Sequence, residues 1–130
     1  MPSRSTRPRE GSIHATQSYC DVGLDREPDA TIVNVTGEVD LFAAPTLAAA
    51  LRRAVDLDAP VIVDLSDCSF FESAGLNALL SLDLEPERAG QRFIVVRPPT
   101  SCAHRVLSLT VPGHFAEHDS RDAALAAVAA

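Results

Sequence analysis

The five residues "VIVDL", Val61 to Leu65, follow a Pro and lead into a polar turn, a nearly continuous apolar run of strand length. A run of this kind is buried on both faces, which is the condition of a strand in the middle of a parallel sheet. "RFIVVR", Arg92 to Arg97, repeats the pattern. Parallel neighbours cannot be joined by a tight hairpin, so helices are required between the strands.

The segments around these runs supply them. "YCDVGL" and "TIVNV" are β-favouring stretches separated by the turn-rich "DREPD", and they read as an antiparallel pair covering about Ser18 to Leu24 and Ala30 to Thr36. "TGEVD" is expected to end the second of these strands. Pro45 suits a first helical position, and Leu47, Ala50, Leu51 and Ala54 then share one helical face. Leu76, Leu79 and Leu80 continue a second helix toward the breakers Pro86 and Gly90 in "EPERAGQ". "PPTSCAHRVLSLT" reads as a loop and short helix, "VPGHFAEH" as a turn and weak strand, and "SRDAALAAVAA" as a terminal helix capped by Ser120 or Asp119. The order ββαβαβαβα implies an α/β fold, a mixed sheet packed with helices. Residues 1–16, mixing Ser, Pro and Arg, are expected to be a flexible tail, and residues 17–130 one domain.

Composition narrows the function classes. The formal charge is −7, the basic Arg4, Arg7 and Arg9 of the opening leave the body more acidic still, and the chain contains no Lys. Nucleic-acid binding through counterion release needs clustered basic residues, so a protein partner is the better expectation. The opening lacks the apolar middle of a signal peptide, and no apolar stretch approaches the ~18 to 20 residues that span a bilayer. A cytoplasmic protein, without a membrane segment, is expected. Three Cys, at 20, 68 and 102, are too few and too dispersed for a disulfide framework or a zinc site, so no metal and no cofactor is assigned.

The stretch with chemical content is "DCSFFESAGLNALL", Asp67 to Leu80. The strand before it is expected to end at Leu65 and to deliver Ser66 to Phe71 as a loop at the carboxyl end of the sheet, where open α/β sheets place their sites. Ser73 then stands at a helix start. Its ordinary role is an N-cap worth about 1 kcal/mol; its alternative is to be modified, since a helix N-terminus tolerates a phosphate. The small Ala74 and Gly75 leave Ser73 open to another protein. Asp64 and Ser66 are expected to fix the loop by side-chain to backbone bonds.

"VTGEVDLFAAPTLAAAL" (Val35 to Leu51) and "VIVDLSDCSFFESAGLNALL" (Val61 to Leu80) together resemble the anti-sigma-factor antagonists, bacterial proteins built on the STAS domain. In that family a "GE.D" segment leads into the first helix, and a strand ending in "D.S...F.DS.GL" leads into the second. The resemblance covers about Tyr19 to Ala127. It implies a single STAS-like domain that binds an anti-sigma factor of the Ser/Thr kinase type and frees its sigma factor. The kinase phosphorylates the Ser matching Ser73, which breaks the complex, and a phosphatase resets it. Glu38, Asp40, Glu72, Ala74, Gly75 and Asn77 are implied partner-binding residues beside Ser73. The chain departs from the pattern in having Glu72 for the usual Asp, Ala74 for a frequent second hydroxyl and Asn77 for a frequent Gly. No catalytic residue is implied, and a monomer is expected when the partner is absent.

Four other readings stand beside this one. A hydrolase elbow needs a Gly two residues before the nucleophile, where this chain has Phe71, so an enzyme is disfavoured even with His104, His114 and His118 as conceivable bases. His114 and His118 with Glu117 have metal-ligand spacing only on a helix, which "VPG" opposes. A STAS module regulating another signalling or transport complex shares the fold. Last, if Val61 to Leu65 and Arg92 to Val96 are parallel neighbours, the following loops bring Cys68 and Cys102 toward each other, and a disulfide between them would shift the Ser73 turn.

Overall fold

A computed structural model describes residues 14–17, 19–81 and 93–129. The strands are β1 (His14–Gln17), β2 (Cys20–Glu27), β3 (Ala30–Val39), β4 (Val61–Phe71), β5 (Phe93–Val96) and β6 (Ala116–His118). The helices are α1 (Ala44–Val55), α2 (Ser73–Leu80), α3 (Cys102–Thr110) and α4 (Arg121–Ala129). All six strands form one sheet in chain order. β1, β2 and β3 pair antiparallel, whereas β3, β4, β5 and β6 pair parallel.

The mixed α/β sheet follows the expected order, with one strand added at the front. β1 includes residues assigned to the tail by sequence, and it pairs His14 to Gln17 against Gly23 to Cys20. Its residues, "HATQ", carry no apolar alternation from which a strand can be read. The breakers "EPERAGQ" lie outside the described residues.

The two apolar runs are buried on both faces, as their composition requires. On one face Val33, Val63 and Val95 stand in register, and α1, α2 and α3 cover them with Leu47, Leu51, Leu76, Leu79, Ala103 and Leu107. On the other face Ile32, Ile62 and Ile94 form the corresponding row, covered by Ala124, Leu125 and Val128 of α4. Full burial of each such side chain contributes about 1.5 to 3 kcal/mol, so these rows are the main source of stability.

The charge inside "VIVDL" is explained by α4. Asp64 is 4% exposed on the Ile62 face. Arg121 at the start of α4 donates through Nε to Asp64 Oδ2 at 2.8 Å, and the Ser66 N–H donates to Asp64 Oδ1 at 2.9 Å. One carboxylate thus docks a helix and shapes the strand that follows. Replacing Arg121 by Ala strands the buried carboxylate, and because the Arg is itself partly solvated the expected loss is about 2 kcal/mol. Urea unfolding of Arg121→Ala should show a lower midpoint with an unchanged denaturant slope.

Candidate functional site

Two sequence boundaries move, and both moves build the site. β3 continues through "TGEV" to Val39, and β4 continues through Ser66 to Phe71 where a loop was expected. Their pairing stays parallel but slips twice, between Asn34 and Thr36 and between Gly37 and Glu38, so that β4 carries extra residues against β3. Each bulge shifts the side-chain alternation by one. The core-facing residues therefore run Val63, Leu65, Cys68, Phe71 rather than at every second position, and Phe70 is turned outward, 45% exposed.

Gly37 sits at the second of these slips. Its φ is +96°, and a Cβ there would lie 1.8 Å from the Tyr19 carbonyl oxygen. That carbonyl accepts the Glu38 N–H at 3.0 Å, which ties the start of β2 to the end of β3.

α2 begins directly after β4. Glu72, in extended conformation, occupies the N-cap position without a side-chain cap, and its carbonyl accepts the N–H groups of Gly75 at 2.9 Å and Leu76 at 3.1 Å. Ser73 is the first helical residue and is exposed. The N-cap role expected of Ser73 thus belongs to the Glu72 backbone, and the serine hydroxyl stands outward at the helix's positive end. Asn77, one turn on, is exposed on the same face.

Gly75 does not serve to open the surface. It is buried, and an added Cβ would lie 2.8 Å from Phe71 Cε1 and 2.9 Å from Val39 Cγ1. The glycine lets the first turn of α2 press onto the ends of β3 and β4, and so sets how Ser73 is presented. Ala74 is partly buried beside it.

Across the edge, Glu38 is exposed at the end of β3, opposite Phe70 in the pairing. Asp40 is half-buried, and its Oδ1 accepts the Ala43 N–H at 2.9 Å, fixing the turn that enters α1. This turn displays the residues that sequence reasoning missed. Leu41 and Phe42 are 70% and 73% exposed, and with Phe70 they place apolar surface at the carboxyl edge that also carries Ser73. Their signal was "LF" standing in a turn, off any strand or helix face that could bury it.

Beneath this edge lie the thiols. β4 and β5 are parallel neighbours, and Cys102 at the start of α3 is brought against β4, where its thiol donates to the Cys68 carbonyl at 3.5 Å. Cys68 donates to the Phe70 carbonyl at 3.2 Å, and all three cysteines are free. Burial, reinforced by Cys102, pushes Cys68 up to about 12. Burial, with the charges of Asp21 and Asp40 next, pushes Cys20 up to about 11. "HFAEH" spans a turn and β6, so the helical spacing of His114 and His118 does not form.

A mixed sheet with helices on both faces, and an exposed serine where a parallel strand gives way to a helix, make an α/β domain whose candidate site lies at the carboxyl edge of its parallel strands. Residues 22–111 match the family described as "Mlab, STAS domain". The chain belongs to the STAS domain family. It is 33% identical over 70 residues to osmosensory protein A of Mycobacterium tuberculosis, a match covering 54% of this chain and 44% of that protein. The match therefore spans less than half the length of this curated relative. Among solved structures, an anti-sigma factor antagonist from Mycobacterium paratuberculosis superposes with a TM-score of 0.75 at 25% identity, covering 89% of this chain and 99% of that one. The anti-sigma factor antagonist SpoIIAA in its unphosphorylated form superposes at 0.67 with 20% identity, covering 83% and 96%, and shares the fold. Among the described residues no helix is long and apolar enough to cross a membrane.

Two outcomes test this geometry. Gly75→Ala should lower stability by about 1 to 2 kcal/mol in equilibrium unfolding, because the clash with Phe71 and Val39 exceeds the gain in helix propensity. The buried thiols predict an alkaline limit. Their pKa values are raised on folding, so the stability they contribute is intact below the ordinary value of 9.0 and falls as pH climbs toward about 11 to 12. Unfolding midpoints measured from pH 8 to 11 should decline, less steeply for Cys68→Ala.

Proposed function

We propose that this domain is an anti-sigma-factor antagonist switched by phosphorylation of Ser73. The observation that carries the reading is the placement of Ser73. It is exposed at the first position of α2, the cap position belongs to Glu72, and its edge also displays Leu41, Phe42 and Phe70. The family match and the likeness to antagonist structures support the same role.

In the unmodified state the apolar side chains dock on an anti-sigma factor, and Glu38, Asp40, Glu72, Ala74, Gly75 and Asn77 shape or border the contact. Occupying the anti-sigma factor frees its sigma factor and so redirects transcription in the cytoplasm. The partner is of the Ser/Thr kinase type, and the hydroxyl of Ser73 is its acceptor. A phosphoryl group brings up to two negative charges to a surface already carrying Glu38 and Glu72. Within the chain the helix N-terminus accommodates it, so the fold persists. Across the interface it must be desolvated against a surface fitted to a neutral hydroxyl. A penalty of about 3 kcal/mol weakens the complex roughly a hundredfold. A phosphatase removes the group and restores binding, and the domain cycles as a monomer between partners.

The test is affinity capture from the native extract on immobilised protein, followed by titration with the captured kinase-like anti-sigma factor. Wild type and Ser73→Ala should bind alike, Ser73→Ala should accept no phosphate from the partner, and Ser73→Asp should bind about a hundredfold more weakly with an unchanged circular dichroism spectrum. Normal binding by folded Ser73→Asp would sink the phospho-switch. Phe42→Ala should weaken binding by tenfold or more, as expected of an aromatic anchor at an interface.

A further inference from the structure

The cysteine pair beneath the Ser73 turn is used by none of the chemistry above. Cys68 is 5% exposed on the bulged end of β4, and Cys102 is partly exposed as the first residue of α3. The Cys102 thiol donates to the Cys68 backbone carbonyl at 3.5 Å, so the two cysteines are in direct contact between α3 and β4. Cys20 is not an equal competitor. It pairs with Gly37, which pairs in turn with Cys68, so a whole strand separates the two cysteines. Two strand spacings are about 9 to 10 Å, beyond the reach of roughly 7 Å between disulfide-bonded Cα atoms.

We propose that Cys68 and Cys102 are an oxidant-sensitive pair that closes into an intramolecular disulfide when the protein meets a hydroperoxide. Cys102, the more accessible, attacks first. Its sulfur takes one peroxide oxygen, the O–O bond breaks, water or an alcohol leaves, and Cys102 becomes a sulfenic acid. The Cys68 sulfur then displaces the hydroxyl group, which leaves as water with the Cys68 proton. The two thiols lose two electrons and the peroxide gains them. Burial holds Cys68 in its protonated form, so it is not the first to react, and it gives up its proton to the departing hydroxyl as the S–S bond forms.

The disulfide has a consequence for the site. The Cys68 S–H now donates to the Phe70 carbonyl at 3.2 Å, and oxidation removes that donor while tethering β4 to α3. Phe70 lies on the exposed edge, two residues before the cap of α2. Resting on the antagonist reading above, the oxidised protein presents a displaced Phe70 and Ser73 and binds its partner at least tenfold more weakly.

The experiment exposes full-length wild type, Cys20→Ser, Cys68→Ser and Cys102→Ser to hydrogen peroxide, then measures intact mass and maps non-reduced proteolytic fragments. Wild type and Cys20→Ser should lose two hydrogens, with the fragments bearing Cys68 and Cys102 joined and released by dithiothreitol. Cys68→Ser should stop at a Cys102 sulfenic acid trapped by dimedone, and Cys102→Ser should not cross-link. No loss of hydrogens, a link to Cys20 or a link between chains overturns the pair. Reduced and oxidised wild type are then titrated with the captured partner. Equal affinities with the disulfide in place overturn its coupling to the Ser73 turn. Failure of the reduced protein to bind any anti-sigma factor overturns the antagonist reading, while the mass result decides the disulfide independently.

Discussion

The parallel pairing of β3 with β4 is the interaction on which the rest of the structure depends. Thr31 to Asn34 run in step with Val61 to Asp64, which aligns the valine row for three helices and the isoleucine row for the fourth. A slip of one residue would exchange the two faces and turn Asp64 away from α4. The register is held because both faces are apolar in different shapes and one face carries a single carboxylate matched to Arg121. The site inherits its position from this pairing, since the turns after β3, β4 and β5 all open on one edge.

Where the register breaks, function begins. The extra residues in β4 turn Phe70 to solvent while Cys68 and Phe71 stay in the core. Phe71 and Val39 in turn dictate a glycine in the first turn of α2, and that close approach leaves Ser73 outermost. The same few residues therefore carry exposed apolar surface, an exposed hydroxyl and, one layer down, a pair of thiols. A small displacement in this segment is felt by all three because its neighbours are close-packed.

Much of this was legible in the chain. "VIVDL" and "FIVV" announced central parallel strands, since no other environment buries every residue of so short a run. The serine of "ESAGL" marked a helix start, and the resemblance to STAS proteins joined it to "GEVD" at one edge. Topology alone brings Cys68 and Cys102 toward each other, and in the structure the Cys102 thiol donates to the Cys68 carbonyl. The lengths of β3 and β4 were not legible, because Gly37 and the polar Ser66 and Asp67 look like a strand end unless the partner strand that receives them is known. β1 escaped because "HATQ" has no apolar period to read.

By itself, then, the amino-acid sequence determined the order of the elements after β1 and the sidedness of the core, which follow from local apolar period and turn chemistry, and its resemblance to STAS proteins singled out Ser73. Only the tertiary structure decided how each of these residues is placed. Whether Ser73 caps or protrudes depends on how Glu72 meets α2, and whether Gly75 is open or pressed depends on Phe71 and Val39. Leu41 and Phe42 became a surface feature because Asp40 ties its turn outside the core. These outcomes depend on contacts between residues distant in the chain, and such contacts exist only once β3 and β4 have paired.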